Sequence, residues 1–515
     1  MYTFSSKLKT FSIVLMVLGA LGIGYGFLTA PKDIQEVERI LAAESHGHGE
    51  GHAEKQHEIK DDSKLDDPRK EITRGESNPK DSTLNMTGNV ANPHPIDSVP
   101  TAAAVVQNST DSTMTTAAPA HESHAAAPAA HKTSEADTHA EHEKHLEHVL
   151  HQLQNKPWAA FYTACIFFML VSLGVLSFYA IQQVSQAGWS PVLFRVMQGI
   201  TAYLPVGSVI FFIFLLLCGF HVNHLFSWLA EGITDPASPN YDKLIDGKSG
   251  YLNFGFWIIR AAVFLLGWNL YRFLSRKYCL AQENAYDNSN YTRNFKISAG
   301  FLVFFIVSES IMSWDWIMSL EPHWFSTLFG WYVFASFFVS GITLICMVTL
   351  YMKSRGYLEF VNTSHIHDLA KYMFGMSIFW TYLWFAQFML IWYANIPEEV
   401  TYFVTRIELY NLPFFGALVL NFVFPILILM NTDFKRITWI LVMAGAVLLF
   451  GHYINFFNMI MPGTVGANWS IGIPEIGSML FFLGLFLIVV FTAMTKAPLL
   501  AKRNPYIEES KHFHY

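Results

Sequence analysis

The chain has 515 residues, of which 52% are hydrophobic and 14% charged, against about 25% charged in an ordinary soluble domain. That balance excludes a soluble globular protein, and a formal net charge of -7 leaves no basic surface for nucleic acid. The four cysteines, Cys165, Cys218, Cys279 and Cys346, are far apart in sequence, so there is no C-x-x-C-H for covalent haem and no iron–sulfur spacing.

A membrane-spanning helix needs about 20 mostly apolar residues. Ten segments qualify: 8–28, 158–184, 201–220, 251–274, 295–319, 326–352, 369–394, 408–430, 437–460 and 474–495. The expected fold class is therefore an all-α polytopic membrane protein with about ten transmembrane helices. The first segment follows Lys7 and Lys9, and Pro31 stands just after its best small-residue site, a poor cleavage context. Residues 1–30 are expected to be an uncleaved signal-anchor helix. Residues 31–157 are different in kind. They hold 13 of the 21 histidines and too few apolar side chains to bury a core, so a largely disordered, His-rich tether is expected. Its last part, ADTHAEHEKHLEHVLHQLQ, is rich in helix formers and is expected to extend the second span outward. Histidines three and four apart can share a helix face, but no fixed ligand set is visible, and no metal site is expected. Residues 158–500 form the transmembrane domain and 501–515 a tail.

Loop charges orient the spans. One set of connections is basic, with Arg195, then Arg272 to Lys296, Lys353 to Lys371, Lys435 and Arg436, and Lys496 to Arg503. The alternate set is acidic or neutral, with Asp235, Asp242, Asp246, Glu321, Glu398, Glu399 and the uncharged 461–473. Both termini are then cytoplasmic, and the tether and acidic loops face a periplasm.

At 1.5 Å per helical residue, Glu309 lies about 15 Å below the outer surface, and Arg260, Gln387 and His452 about 14 Å. Asp315 lies about 6 Å down. His221 and His224 sit above them at the exit of the third span, three residues apart. Arg260 and Glu309 share a depth on sequential helices and are expected to form an ion pair. Ionisable residues inside a membrane usually mark a pathway or site. Glu309, Asp315, His452, His221 and His224 are therefore candidates for a proton relay or a quinone site near the outer face. The inner half shows few deep ionisable groups, which predicts a half-path and not a full channel. The competing reading is that these groups only fix helix packing.

The stretches DWIMSLEPHWFSTLFGWYVFAS (315–336) and LIWYANIPEEVTYF (390–403) resemble the ActF branch of the NrfD-like membrane subunits of bacterial alternative complex III, a quinol:cytochrome c oxidoreductase. The likeness covers 158–500. It implies two four-helix bundles, spans 2–5 and 6–9, flanked by spans 1 and 10. It implies as partners a multihaem cytochrome c, an iron–sulfur subunit, a sister NrfD-like subunit, a monohaem cytochrome c and small membrane subunits. It implies oxidation of menaquinol or ubiquinol near the periplasmic side of the bacterial inner membrane, with the redox cofactors on the partners. The alternative class is an ion or small-molecule transporter or channel built from repeated bundles. A b-type cytochrome would need paired intramembrane histidines, and His452 is alone at depth.

Overall fold

The computed structural model describes residues 2–47 and 135–514. The rest of the expected tether lies outside the described residues. The chain divides into two units, Met1–Arg39 with His142–Tyr515, and Ile40–Glu141. The described parts of the second unit are the end of one helix and the first turns of another.

No strand occurs among the described residues, and ten helices are long and apolar enough to cross a membrane. The protein is an all-α polytopic membrane protein. In chain order the helices are α1 (Ser6–Thr29), α2 (Ile34–Gly47), α3 (Glu135–Val184), α4 (Phe194–Ile200), α5 (Tyr203–Gly219), α6 (Phe254–Gln282), α7 (Ser289–Trp316), α8 (Phe329–Ser354) and α9 (Thr363–Ala394). They continue with α10 (Pro397–Glu408), α11 (Asn411–Leu418), α12 (Phe424–Leu429), α13 (Thr438–Val465), α14 (Ile473–Met494) and α15 (Ile507–Lys511). As expected, α3 runs without interruption from the polar histidine-rich stretch into the second span. The 14-residue α2 is a departure, since it lies in sequence expected to be disordered. Its apolar residues recur at helical spacing, and Val37 is buried.

Burial sorts the spans. In their most apolar windows α3 is 94% buried and α8 83%, whereas α6 and α9 are 39% and α7 33%. The first two form the centre, and the others turn one face to lipid. Helix α6 packs on α5 and α7, and α8 packs on α9 and α13, with α7 against α8 joining the two groups. Tyr162 of α3 donates to the Trp316 carbonyl of α7 at 2.6 Å, and Phe167 of α3 packs edge-on against Tyr453 of α13. A hydrogen bond and an aromatic contact thus tie the central helix to both groups. The architecture is two bundles, α3–α7 and α8–α13, with α1 and α14 paired at the flank.

That flanking pair is set by small residues. The buried stripe of α1 is Ser12, Leu15, Gly19, Gly22 and Gly26, spaced three and four apart. A Cβ on Gly477 of α14 would stand 2.8 Å from the Cα of Gly22, so only glycine allows this approach. Close backbone contact gives packing that lipid tails, equally apolar, cannot outcompete.

Each end of the bundle gathers the loops expected to share a side. At the basic end Thr3 bonds Tyr357, and Asn362 and His365 bond the chain near the C-terminus. At the other end Gln154 bonds Pro31, Lys248 bonds Pro322 and Tyr410 bonds Gly466. Two spans are interrupted. The third breaks between α4 and α5 at Thr201–Ala202, and the eighth contains a single π-helical turn, Val419–Val423.

Candidate functional site

At the end that holds the acidic loops, a polar site of the first bundle is built from the ends of α6 and α7. Asn253 caps α6, its side chain accepting from the Phe256 N–H at 2.9 Å, which places Arg260 two turns into the helix. Helix α7 ends at Trp316 and tightens into a 3-10 turn, Met318–Leu320, before Pro322. Arg260 grips Asp315 with a two-point fork, Nε to Oδ2 at 2.6 Å and Nη2 to Oδ1 at 2.8 Å. Its remaining nitrogen donates to the Tyr251 carbonyl at 3.2 Å. The guanidinium lies 4.0 Å from the Tyr251 ring centre and 4.2 Å from that of Phe256. Trp257 and Ser319 both donate to the Asp315 carbonyl.

The expected Arg260–Glu309 pair is therefore wrong. Helical rise fixed the depth of the Cα atoms only. The arginine stem carries its charge toward the end of the bundle that holds the acidic loops, where Asp315 lies. Glu309 is six residues earlier on α7, about 120° around the helix from Asp315. It is buried, and its carboxyl accepts only from Ser313 at 3.2 Å and Ser310 at 3.3 Å. Among the described residues no cation forms an ion pair with it.

The second bundle holds a different pole. His452 of α13 is fully buried, and neither ring nitrogen has a partner among the described residues. Its ring stands perpendicular to Trp380 of α9, centres 5.4 Å apart. Trp380 donates to Ser336 at 2.9 Å, Asn455 donates to the same hydroxyl at 3.0 Å, and Tyr332 donates to Asn455. Asn421 lies in the π turn, fully buried, with both ends of its amide unpartnered. It sits hard against Gly451, next to His452. Gln387 is buried with an unpartnered Nε2. A π turn inside an α-helix often marks a functional site, and buried polar groups without partners are rare in folded proteins.

The residues expected at one depth thus divide between two bundles. Glu309, Arg260 and Asp315 belong to the first, His452 and Gln387 to the second. Among the described residues no hydrogen bond or ion pair joins the two groups. His221 and His224 are not on a helix face. Helix α5 ends in a Schellman turn, with Val222 N–H to the Leu217 carbonyl and His221 N–H to the Cys218 carbonyl. His221 is the left-handed residue of that turn, at φ +56°, and both histidines are exposed.

Sequence reading missed a second buried ion pair. Arg406 of α10 is 1% exposed and meets Glu321 at 2.5 Å. It also donates to the carbonyls of Tyr402 and Asn458, with its guanidinium 3.3 Å from the Tyr402 ring centre. A signal was available, since Arg406 is a cation on the acidic side whose neutralising partner had to be near. The half of the bundle nearer the basic loops is also more polar than expected. The Tyr179 hydroxyl lies within hydrogen-bond distance of Gln183, Gln198, Ser275 and Asn294, beside an Arg195–Glu283 ion pair. These are mostly neutral groups, which a search for charged residues passes over. Between this hub and Glu309, α7 presents buried Phe301 and Phe305, with Phe301 stacked on Tyr271 at 4.0 Å.

Chemically, the first pole offers one carboxyl free of a countercharge, and the second an imidazole and the Asn421 amide without a hydrogen-bond partner among the described residues. The four cysteines are buried and unbridged. The chain matches no protein-family model and no curated protein.

Proposed function

We propose that this chain is a non-haem integral membrane subunit of a respiratory quinol:cytochrome c oxidoreductase of the alternative complex III type, and that it carries protons from quinol oxidation to the outer phase. The observation that carries the reading is Glu309, a carboxyl buried in a membrane span with two serine hydroxyls and no cation. A carboxylate held by arginine stays ionised. One held only by hydroxyls can take a proton and release it, which is what a relay group needs.

On this reading the redox cofactors sit on the partners: a multihaem cytochrome c, an iron–sulfur subunit, a monohaem cytochrome c and a sister NrfD-like subunit. The substrate is a menaquinol or ubiquinol in the bacterial inner membrane. The basic end, with both termini, faces the cytoplasm, and the histidine-rich segment lies in the periplasm. Asp315 is withdrawn from the relay because Arg260 saturates it, and it serves as a staple. Phe301 and Phe305 interrupt the path toward the Tyr179 hub, in keeping with an outer half-path.

Purification from native membranes through this chain tests the proposal. Covalent c-type haem absorbance and quinol-dependent cytochrome c reduction are expected to co-purify. A chain that purifies alone, without haem, overturns it in favour of a transporter. In the intact complex Glu309→Gln keeps shape and hydrogen bonding but removes the proton exchange. Turnover is expected to fall by about 10²-fold or more, and an unchanged rate and pH profile would end the relay assignment.

A further inference from the structure

The structure places two exposed histidines from distant parts of the chain side by side at one end of the bundle. His151 of α3 and His224, in the segment after α5, have ring centres 5.3 Å apart and planes at 74°. Two imidazoles bound at ~2.0–2.1 Å to one tetrahedral zinc ion have ring centres roughly 5 Å apart, so this spacing suits a shared cation. The placement is enforced. Asn155, one turn along α3 from His151, clasps the His224 backbone in both directions, donating to its carbonyl at 3.1 Å and accepting from its N–H at 3.2 Å. Asn155 is itself buried.

Two further imidazoles stand nearby. His148 lies one turn before His151 on α3, but its Nε2 accepts from Gln152 at 2.8 Å, and Gln152 is held in turn by Asn468. His221 has no such commitment. It occupies the left-handed position of the Schellman turn, where glycine is usual, and an imidazole kept in a strained position points to use. It stands close enough to His224 for the two imidazoles to interact electrostatically, as His151 does. Among the described residues no three ligand side chains already converge as a metal-binding group, so the third ligand must turn in when the ion binds.

We propose that His151 and His224 are preset ligands of a surface site for a divalent transition-metal ion of the zinc class, completed by His221 and water. Bound there, the ion would clamp α3 to the segment that follows α5.

The test is a titration of Zn2+ alone into the full-length, chelator-stripped protein in detergent, read by calorimetry as ions bound per chain. Other histidines near α3 can bind zinc too, but His224 is remote from them in sequence. His224→Gln is expected to bind one ion fewer than the wild type, and His151→Gln likewise. The double variant is expected to lose no more than either single one, because both changes break the same site. His224→Cys keeps a zinc ligand and is expected to retain the ion, which separates loss of coordination from loss of fold. His323→Gln, at an exposed histidine on another turn, is expected to bind as the wild type does. Equal zinc binding by wild type and His224→Gln overturns the proposal. So does a double variant that loses two ions, or a folded His224→Cys that loses the ion.

Discussion

In the first bundle every charged atom of Arg260 and Asp315 has a partner, whereas in the second the side chains of His452 and Asn421 have none among the described residues. The two poles were built by different rules. Bringing a charge into lipid carries a penalty of at least about 2.5 kcal/mol, so Arg260 and Asp315 survive only as a complete fork closed by Tyr251, Phe256, Trp257 and Ser319. A neutral imidazole or amide carries a smaller penalty and can be kept without partners, ready for water or a transferred proton. Glu309 stands between the two cases, a charged type solvated as if neutral. Full satisfaction reads as structure, and incomplete satisfaction marks the places to look for function.

The largest expected effect breaks the comparison at its strongest point. Arg260→Leu leaves Asp315 buried without its cation and should cost about 3–5 kcal/mol, seen as a lower unfolding midpoint in detergent. Glu309→Gln should cost under about 1 kcal/mol, since its hydroxyl bonds can persist. If the two variants are equally destabilised, Glu309 is as structural as Asp315 and the distinction fails.

A smaller effect is expected away from both poles. Gly477→Leu forces α1 and α14 apart and should cost about 1–3 kcal/mol as overpacking, with faster proteolysis near the start of α1. Turnover per intact complex should stay unchanged, because neither pole touches this pair.

Smaller still is the stability change at the second pole. Asn421→Leu removes an amide with no partner among the described residues and should leave the unfolding free energy unchanged or raise it by about 1 kcal/mol, while turnover falls. A clear loss of stability would mean that the amide holds a water the fold depends on.

The smallest effect concerns an exposed pair. Asp242 caps a one-turn helix and meets His323 at 2.6 Å. Burial pushes its carboxyl up, but the Ile245 N–H, His323 and the Leu244 N–H outweigh that and hold it below its ordinary value of 3.8. A carboxyl held low in the folded state stabilises above its unfolded pKa and loses that contribution as pH falls through the folded one. The loop at 242–246 should therefore loosen only in strong acid, below about pH 4, as faster amide exchange there. Asp242→Asn should abolish that acid step and leave the Arg260 fork untouched.

Much of this molecule was legible from composition and spacing. All ten spans follow from apolar runs, and the polar extension of α3 follows from its helix formers. The alternation of loops between two ends follows from charge. Glu309 and His452 were singled out by type, because ionisable side chains in apolar sequence are few. The neutral members of both networks gave no such signal. Asn421, Asn455, Tyr332 and Tyr179 are ordinary in composition, and only packing makes them a hub or leaves them unpartnered.

The sequence by itself determined what each helix had to bury and which charges needed a neutral home, since both depend on residue type and on a period of 3.6. It could not decide who meets whom. The rotation of α7 separates Glu309 from Asp315, the reach of the Arg260 stem selects Asp315 between them, and the bundle boundary parts His452 from Glu309 although rise alone puts them at one depth. Rise along an axis is a property of one helix, but azimuth and side-chain reach become contacts only when a second helix is in place.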